Sequence, residues 1–144
     1  MPAVRGPVVV DASVVVEYLI ASALTAHAQV LLRSAADGEV ELWAPDLIYA
    51  EAVSAFRTLC RLRALAPAEG DQAVADLLQL PITTTGSRDL MARAWALRGA
   101  ITPYDACYVV LAEVLGAPLV TADRRLVRGL PRTAARAIFL GTLS

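Results

Sequence analysis

The sequence predicts an α/β fold: a three-layer sandwich with helices on both faces of a short, mostly parallel sheet. Two observations predict it. Runs of roughly four β-branched or apolar residues recur along the chain, too short for helices and bounded by turn residues. Between them lie segments of helical length and spacing, the alternation that builds parallel sheets. A length of 144 residues suits one domain spanning 1–144, large enough to bury a core without disulfides or a structural metal.

The elements follow in order. Pro7–Val10 is a β-branched run ending at Asp11, read as a buried strand. Ala12–Ile20 and Thr25–Ala36 are helical, and Asp37-Gly38 closes the second. Val40–Ala44 is a second strand, and Pro45-Asp46 is expected to open a long helix to about Arg63. Along that helix Ile48, Ala52, Ala55, Leu59 and Leu62 recur on one face. Pro67 starts a helix to about Leu80, and Pro81–Thr84 is a third strand. Ser87 is expected to cap a helix running to Leu97. Thr102-Pro103 begins the helix Tyr104–Leu115, ended by Gly116. Pro118–Thr121 is a fourth strand, followed by Ala122-Asp123 and a short basic turn or helix, and Arg136–Leu140 is a last edge strand.

Composition narrows the function. The net charge is −1, so no general basic field holds nucleic acid passively. Every full cation is Arg; the chain contains no Lys. Hydrophobic residues make up 57%, which supplies a large core or an apolar surface kept for a partner. Cys60 and Cys107 lie in apolar helical segments without a C-x-x-C pattern, and read as buried reduced thiols. Met1–Pro7 carries no targeting pattern, and the apolar stretch Ala106–Val120 is broken by Glu113, Gly116 and Pro118. A soluble, cytoplasmic protein with no membrane partner is expected.

Most of the 14 acidic residues flank turns or lie on polar helix faces. Four do not. Asp11 and Asp123 each end a short strand, so in a parallel sheet both reach the same rim, where ligands of such folds bind. Each also suits a helix N-cap, a role compatible with cation binding because a carboxylate offers several lone pairs. Glu51 borders the apolar face of its helix. Asp105 stands in the first turn of a helix that is apolar nearly all round, and a carboxylate there needs donors or a cation. Four carboxylates sharing one pocket repel one another unless a cation neutralises them. The donors are all oxygen, and the single His27 lies on a helix read as a surface one. Such a site suits Mg²⁺ or Mn²⁺ rather than Zn²⁺. Divalent cations in such sites make water nucleophilic at neutral pH and stabilise charge on phosphoryl groups, which is the chemistry of phosphodiester hydrolysis.

These residues carry a resemblance. Val-Val-Val-Asp11-Ala12-Ser13, Pro45 with Glu51, Thr102-Pro103-Tyr104-Asp105-Ala106 and Leu-Val-Thr121-Ala122-Asp123, in this order, together resemble the PIN-domain nucleases. The likeness is greatest to bacterial VapC-type toxins and covers nearly the whole chain. It implies a sheet order of 3-2-1-4-5 and a homodimer. It also implies a metal held chiefly by Asp11 and Asp105, with Glu51 and Asp123 completing the pocket and Ser13 and Thr121 supporting it. The implied activity is endonucleolytic cleavage of RNA, inhibited by a cognate VapB-type antitoxin.

Other classes fit less well. Phosphoryl-transfer enzymes of the haloacid-dehalogenase type place a second Asp where Ser13 stands, and they and the response-regulator receivers use a Lys that this chain lacks. The fold also serves non-catalytic RNA- or protein-binding modules, and PIN nucleases acting in RNA processing or on DNA. The full set of four acids favours an active ribonuclease.

Overall fold

The computed structural model describes residues 4–131 and 134–144; the first three residues of the Met1–Pro7 stretch lie outside it. Five strands form one sheet: β1 (Gly6–Val10), β2 (Val40–Pro45), β3 (Ile82–Thr85), β4 (Leu119–Thr121) and β5 (Ala137–Phe139). Their order is β3-β2-β1-β4-β5, and every neighbouring pair is parallel. The seven helices found among the described residues are α1 (Ala12–Leu19), α2 (Thr25–Ala36), α3 (Leu47–Arg61), α4 (Pro67–Leu77), α5 (Met91–Ala96), α6 (Pro103–Leu115) and α7 (Arg124–Gly129). None is long and apolar enough to cross a membrane.

β1 is central and buried on both faces, as its unbroken valine run predicts: Val8, Val9 and Val10 are buried. The chain leaves β1 toward β2 on one side and returns to β4 on the other, so a switch point opens between β1 and β4 at their carboxyl ends. Helices α1 to α4 pack on one another, while α6 lies against β1, β2 and β4 with α5 beside it. Ala106–Ala112 of α6 is buried without a break, which accounts for a helix with no polar face. Gly38 and Gly116 hold positive φ where α2 and α6 end, a conformation that costs other residues a steric penalty.

Several boundaries depart from expectation for local reasons. Pro45 does not open α3; it is the last residue of β2, paired with Thr85, and the Asp46 amide donates to the Thr85 carbonyl. Neither Asp46 nor Ser87 caps through its side chain. After Ser87 comes a one-turn 3₁₀ helix, Arg88–Leu90, and only then α5. Leu62 is not on the packed stripe of α3: the backbone turns there, with Arg63 at φ 59°, and Leu62 faces solvent while Phe56 fills the core. Cys107 is buried and Cys60 half-buried, both as free thiols. His27 is half-buried rather than on an open surface, its Nδ1 2.5 Å from the Leu143 carbonyl.

Candidate active site

Asp11 follows β1 directly and turns the chain into α1. Its extended backbone (φ −96°, ψ 176°) aims the carboxylate back over the first turn of that helix, as an N-cap requires. The amide of Val14 donates to Oδ1 at 3.4 Å. Two hydroxyls hold the same carboxylate more closely. Ser13 donates to Oδ1 at 2.5 Å, and Thr121 donates to Oδ2 at 2.5 Å. Each hydroxyl is fixed in turn from β4 and its exit: Ser13 Oγ accepts from the Ala122 amide at 2.9 Å, and Thr121 Oγ1 from the Asp123 amide at 3.0 Å. The pairing of Val10 with Val120 sets this meeting, because it places Asp11 level with Thr121 on adjacent parallel strands. Ser13 and Thr121 therefore contact the carboxylate that their expected supporting role requires.

Asp123 ends the β4 exit and caps α7, accepting from the amides of Arg125 at 2.8 Å and Leu126 at 3.4 Å. The Arg125 guanidinium lies 3.7 Å from the same oxygen, on the open side of the site. Asp105 occupies the first turn of α6, whose N-cap Thr102 accepts from the Asp105 amide at 3.1 Å. The Asp105 side chain lines the cleft, where Thr102 and Arg125 oppose the rise in its proton affinity. Glu51, one turn into α3, accepts a 2.5 Å hydrogen bond from the hydroxyl of Tyr108. Tyr108 is almost fully buried, so its one polar atom requires a partner, and Glu51 is that partner.

Burial and neighbouring negative charge act together on Asp11, Glu51 and Asp105. Burial pushes Asp11 up to about 6 against the opposing pull of its hydroxyl donors, and Asp105 adds a further upward push. Burial raises Asp105 as well, and the charge of Asp123 raises it more. Glu51 is raised by burial, with Asp105 adding to it and the Tyr108 hydrogen bond working the other way. Asp105 is thus the hub, coupled to each of the other three. An open cleft of about 550 Å³ has Asp105 and Asp123 in its wall, beside Arg98 and Arg125. A second cleft, lined by Ser13, Arg124 and Phe139, shares Asp123 and Arg125 with the first.

The donor set is hard oxygen throughout, and its charges lack a compensating buried cation among the described residues. Those are the requirements of a Mg²⁺-like ion. No three of these acids stand close enough to cage an ion unaided among the described residues.

Sequence reasoning passed over Tyr108 as one more apolar residue of α6. Its signal is a spacing of three from Asp105, which puts its hydroxyl on the side of the helix that carries the acid. Trp95 and Arg98 were likewise not singled out.

Comparison with known proteins agrees with this geometry. The family model described as PIN domain matches residues 8–129. Ribonuclease VapC3 of Mycobacterium tuberculosis is 39% identical over 128 residues, 89% of this chain and 90% of its own. Ribonuclease VapC12 of the same organism is 34% identical over 121 residues, 84% of this chain and 90% of its own. The crystal structure of VapBC2 from Rickettsia felis, bound to a DNA fragment from the promoter, superposes with a TM-score of 0.65 at 13% identity, covering 92% of this chain and 98% of the other. The sheet order, the strand-end aspartates and these likenesses agree: the chain belongs to the PIN-domain family, and within it stands with the VapC ribonucleases.

Proposed function

We propose that this protein is an endoribonuclease that hydrolyses RNA phosphodiesters with Mg²⁺ or Mn²⁺, and that it is the toxin of a toxin–antitoxin pair. One observation carries the site assignment: the fold brings acids from separate elements to the carboxyl rim of the sheet, with Asp11 held there by Ser13 and Thr121 and with Asp105 and Asp123 in the wall of one cleft. Such an arrangement is costly to folding and is explained by a cation. Residues 1–144 act as one nuclease unit in this reading.

When bound, the divalent ion would polarise the scissile phosphate and lower the pKa of a water. The rest falls to the chain. Asp11 and Asp105 hold the ion. Ser13 and Thr121 keep both oxygens of Asp11 in fixed orientation, so no reorganisation is needed when substrate arrives. Glu51 and Asp123 orient water by hydrogen bonding and accept its proton. Tyr108 keeps Glu51 aimed. Arg124 and Arg125 hold the phosphates that flank the cut.

The likeness to VapC3 supports RNA as substrate and a VapB-type antitoxin as the inhibiting partner. A homodimer accords with exposed apolar residues such as Val53, Leu62 and Leu78. An RNA substrate puts the protein in the cytoplasm. The test is incubation of purified protein with total cellular RNA, with Mg²⁺ or Mn²⁺ and with EDTA, beside Asp105→Asn. Discrete metal-dependent fragments that the variant does not produce are expected. Intact RNA with folded, antitoxin-free protein would overturn the assignment.

A further inference from the structure

At the end of α5, next to the acid centre, Trp95 and Arg98 form a stack that the fold does not require. The Arg98 guanidinium carbon lies 4.5 Å from the centroid of the Trp95 indole, and Nη1 donates to the Trp95 carbonyl at 3.0 Å. Helix α5 is anchored by Ala94 and Leu97, which are buried; Trp95 is 65% exposed. An indole left in water forgoes the burial that normally retains one in a sequence. Arg98 lines the same cleft as Asp105 and Asp123. Arg98 thus links the exposed Trp95 indole to the wall of the acid cleft, while the indole itself lies beyond that wall.

We infer that Trp95 and Arg98 form a nucleobase platform, which receives an unstacked base of single-stranded RNA and so positions the strand across the carboxylates. This rests on the nuclease reading above. Three features favour this occupant. A flat aromatic–guanidinium surface matches the π-face of a base, and the guanidinium edge matches base or phosphate acceptors. The cleft carries two arginines, Arg98 and Arg125, beside Asp105 and Asp123, so an anionic backbone entering it meets cations next to the acids. A second stack, Arg124 over Phe139 at 4.0 Å, lines the cleft on the other side of Asp123. The two clefts share Asp123 and Arg125, so a single strand laid through both crosses the reaction centre. Bases within a duplex are already stacked and cannot reach such a surface, which makes the strand single.

The test separates platform from chemistry. In a Trp43→Phe background Trp95 is the one remaining fluorophore of its type. With EDTA present, titration with an unstructured, mixed-sequence oligoribonucleotide should quench its emission. Should Trp43→Phe disturb the fold, the difference between wild-type and Trp95→Phe spectra gives the same readout. With Mn²⁺ present, Trp95→Ala should raise KM about 10- to 100-fold with kcat held within about 3-fold, and Trp95→Phe should restore most of the loss. A duplex of the same sequence should leave the emission unchanged. Unaltered KM in Trp95→Ala, or no quenching by the single strand, overturns the platform even if wild-type protein cleaves RNA. A blue-shifted Trp95 emission in free protein, with loss of the dimer in Trp95→Ala, also overturns it and makes the indole a subunit contact. Absence of cleavage by wild type would instead strike the nuclease reading, and the EDTA titration would still decide the platform.

Discussion

Thr121 donates a 2.5 Å hydrogen bond to Oδ2 of Asp11 although the two residues are 110 positions apart in the chain. The bond joins the ends of β1 and β4 at the point where the sheet changes direction. It makes the principal carboxylate a property of two strands rather than of one.

Thr121→Val should therefore loosen the site without emptying the core. The isostere keeps the methyl packing and removes one of the two hydroxyl donors to a buried carboxylate, at a cost of about 1–3 kcal/mol. Urea unfolding should show that loss, and apparent affinity for Mn²⁺ should fall about 10-fold. Unchanged values in both measurements would mean that Thr121 does not orient Asp11.

The metal-free protein should lose stability as pH rises. Asp11 is raised from 3.8 to about 6 by burial, so the folded state binds this proton more tightly than the unfolded chain does. Its stabilising contribution is complete below the unfolded value of about 4 and is lost as pH climbs through about 6. The size is about 2–3 kcal/mol, since each unit is worth about 1.4 kcal/mol. Denaturant midpoints measured with EDTA between pH 4.5 and 7.5 should fall in wild type and stay flatter in Asp11→Asn.

Asp11→Asn and Asp105→Asn should lower cleavage by at least about 10²-fold while the folded state persists. At pH 7.5 the metal-free Asn variants should melt no lower than wild type, because each removes a repelled charge. RNA gels and thermal melts on the same preparations check both halves of this statement.

Tyr108→Phe should act through Glu51. Loss of the hydroxyl removes the one interaction that holds the Glu51 proton affinity down. The acid limb of the pH–rate profile should move to higher pH, with the loss of activity greatest on the acid side and recovered in part as pH rises. A profile that drops evenly at all pH values would indicate a packing role instead.

Addition of Mn²⁺ should raise the melting temperature of wild type by binding the folded state alone, by about 2–3 kcal/mol at a hundredfold excess over Kd. The shift should shrink or vanish in Asp105→Asn.

Most of the fold was legible because each level of the sequence agreed with the next. The Val8–Val10 run could only be buried on both faces, and the all-apolar α6 could only lie against the sheet. Boundaries were less legible where a residue suits two roles. Pro45 opens helices and ends strands equally well, and the hydrogen bond from Asp46 to Thr85 decides between them. The strand-end aspartates were visible because the carboxyl rim of a parallel sheet is where ligands bind. What position along the chain could not reveal is which side chains satisfy them. Tyr108 and Glu51 are 57 positions apart, and their bond exists only once α3 and α6 are packed. Trp95 escaped notice for another reason: an isolated exposed aromatic gains meaning only from the cleft beside it.

The ring of hydrogen bonds through Ser13, Asp11 and Thr121 also sets the order in which the site is assembled. β1 is made before β4, and its carboxylate lacks one of its two hydroxyl donors until β4 has been made and paired beside it. Closing so long a loop comes late in folding, and a nascent chain that ends before Thr121 carries three of the acids with the fourth and the Thr121 donor missing. A growing chain therefore lacks the assembled carboxylate site until β4 has been made.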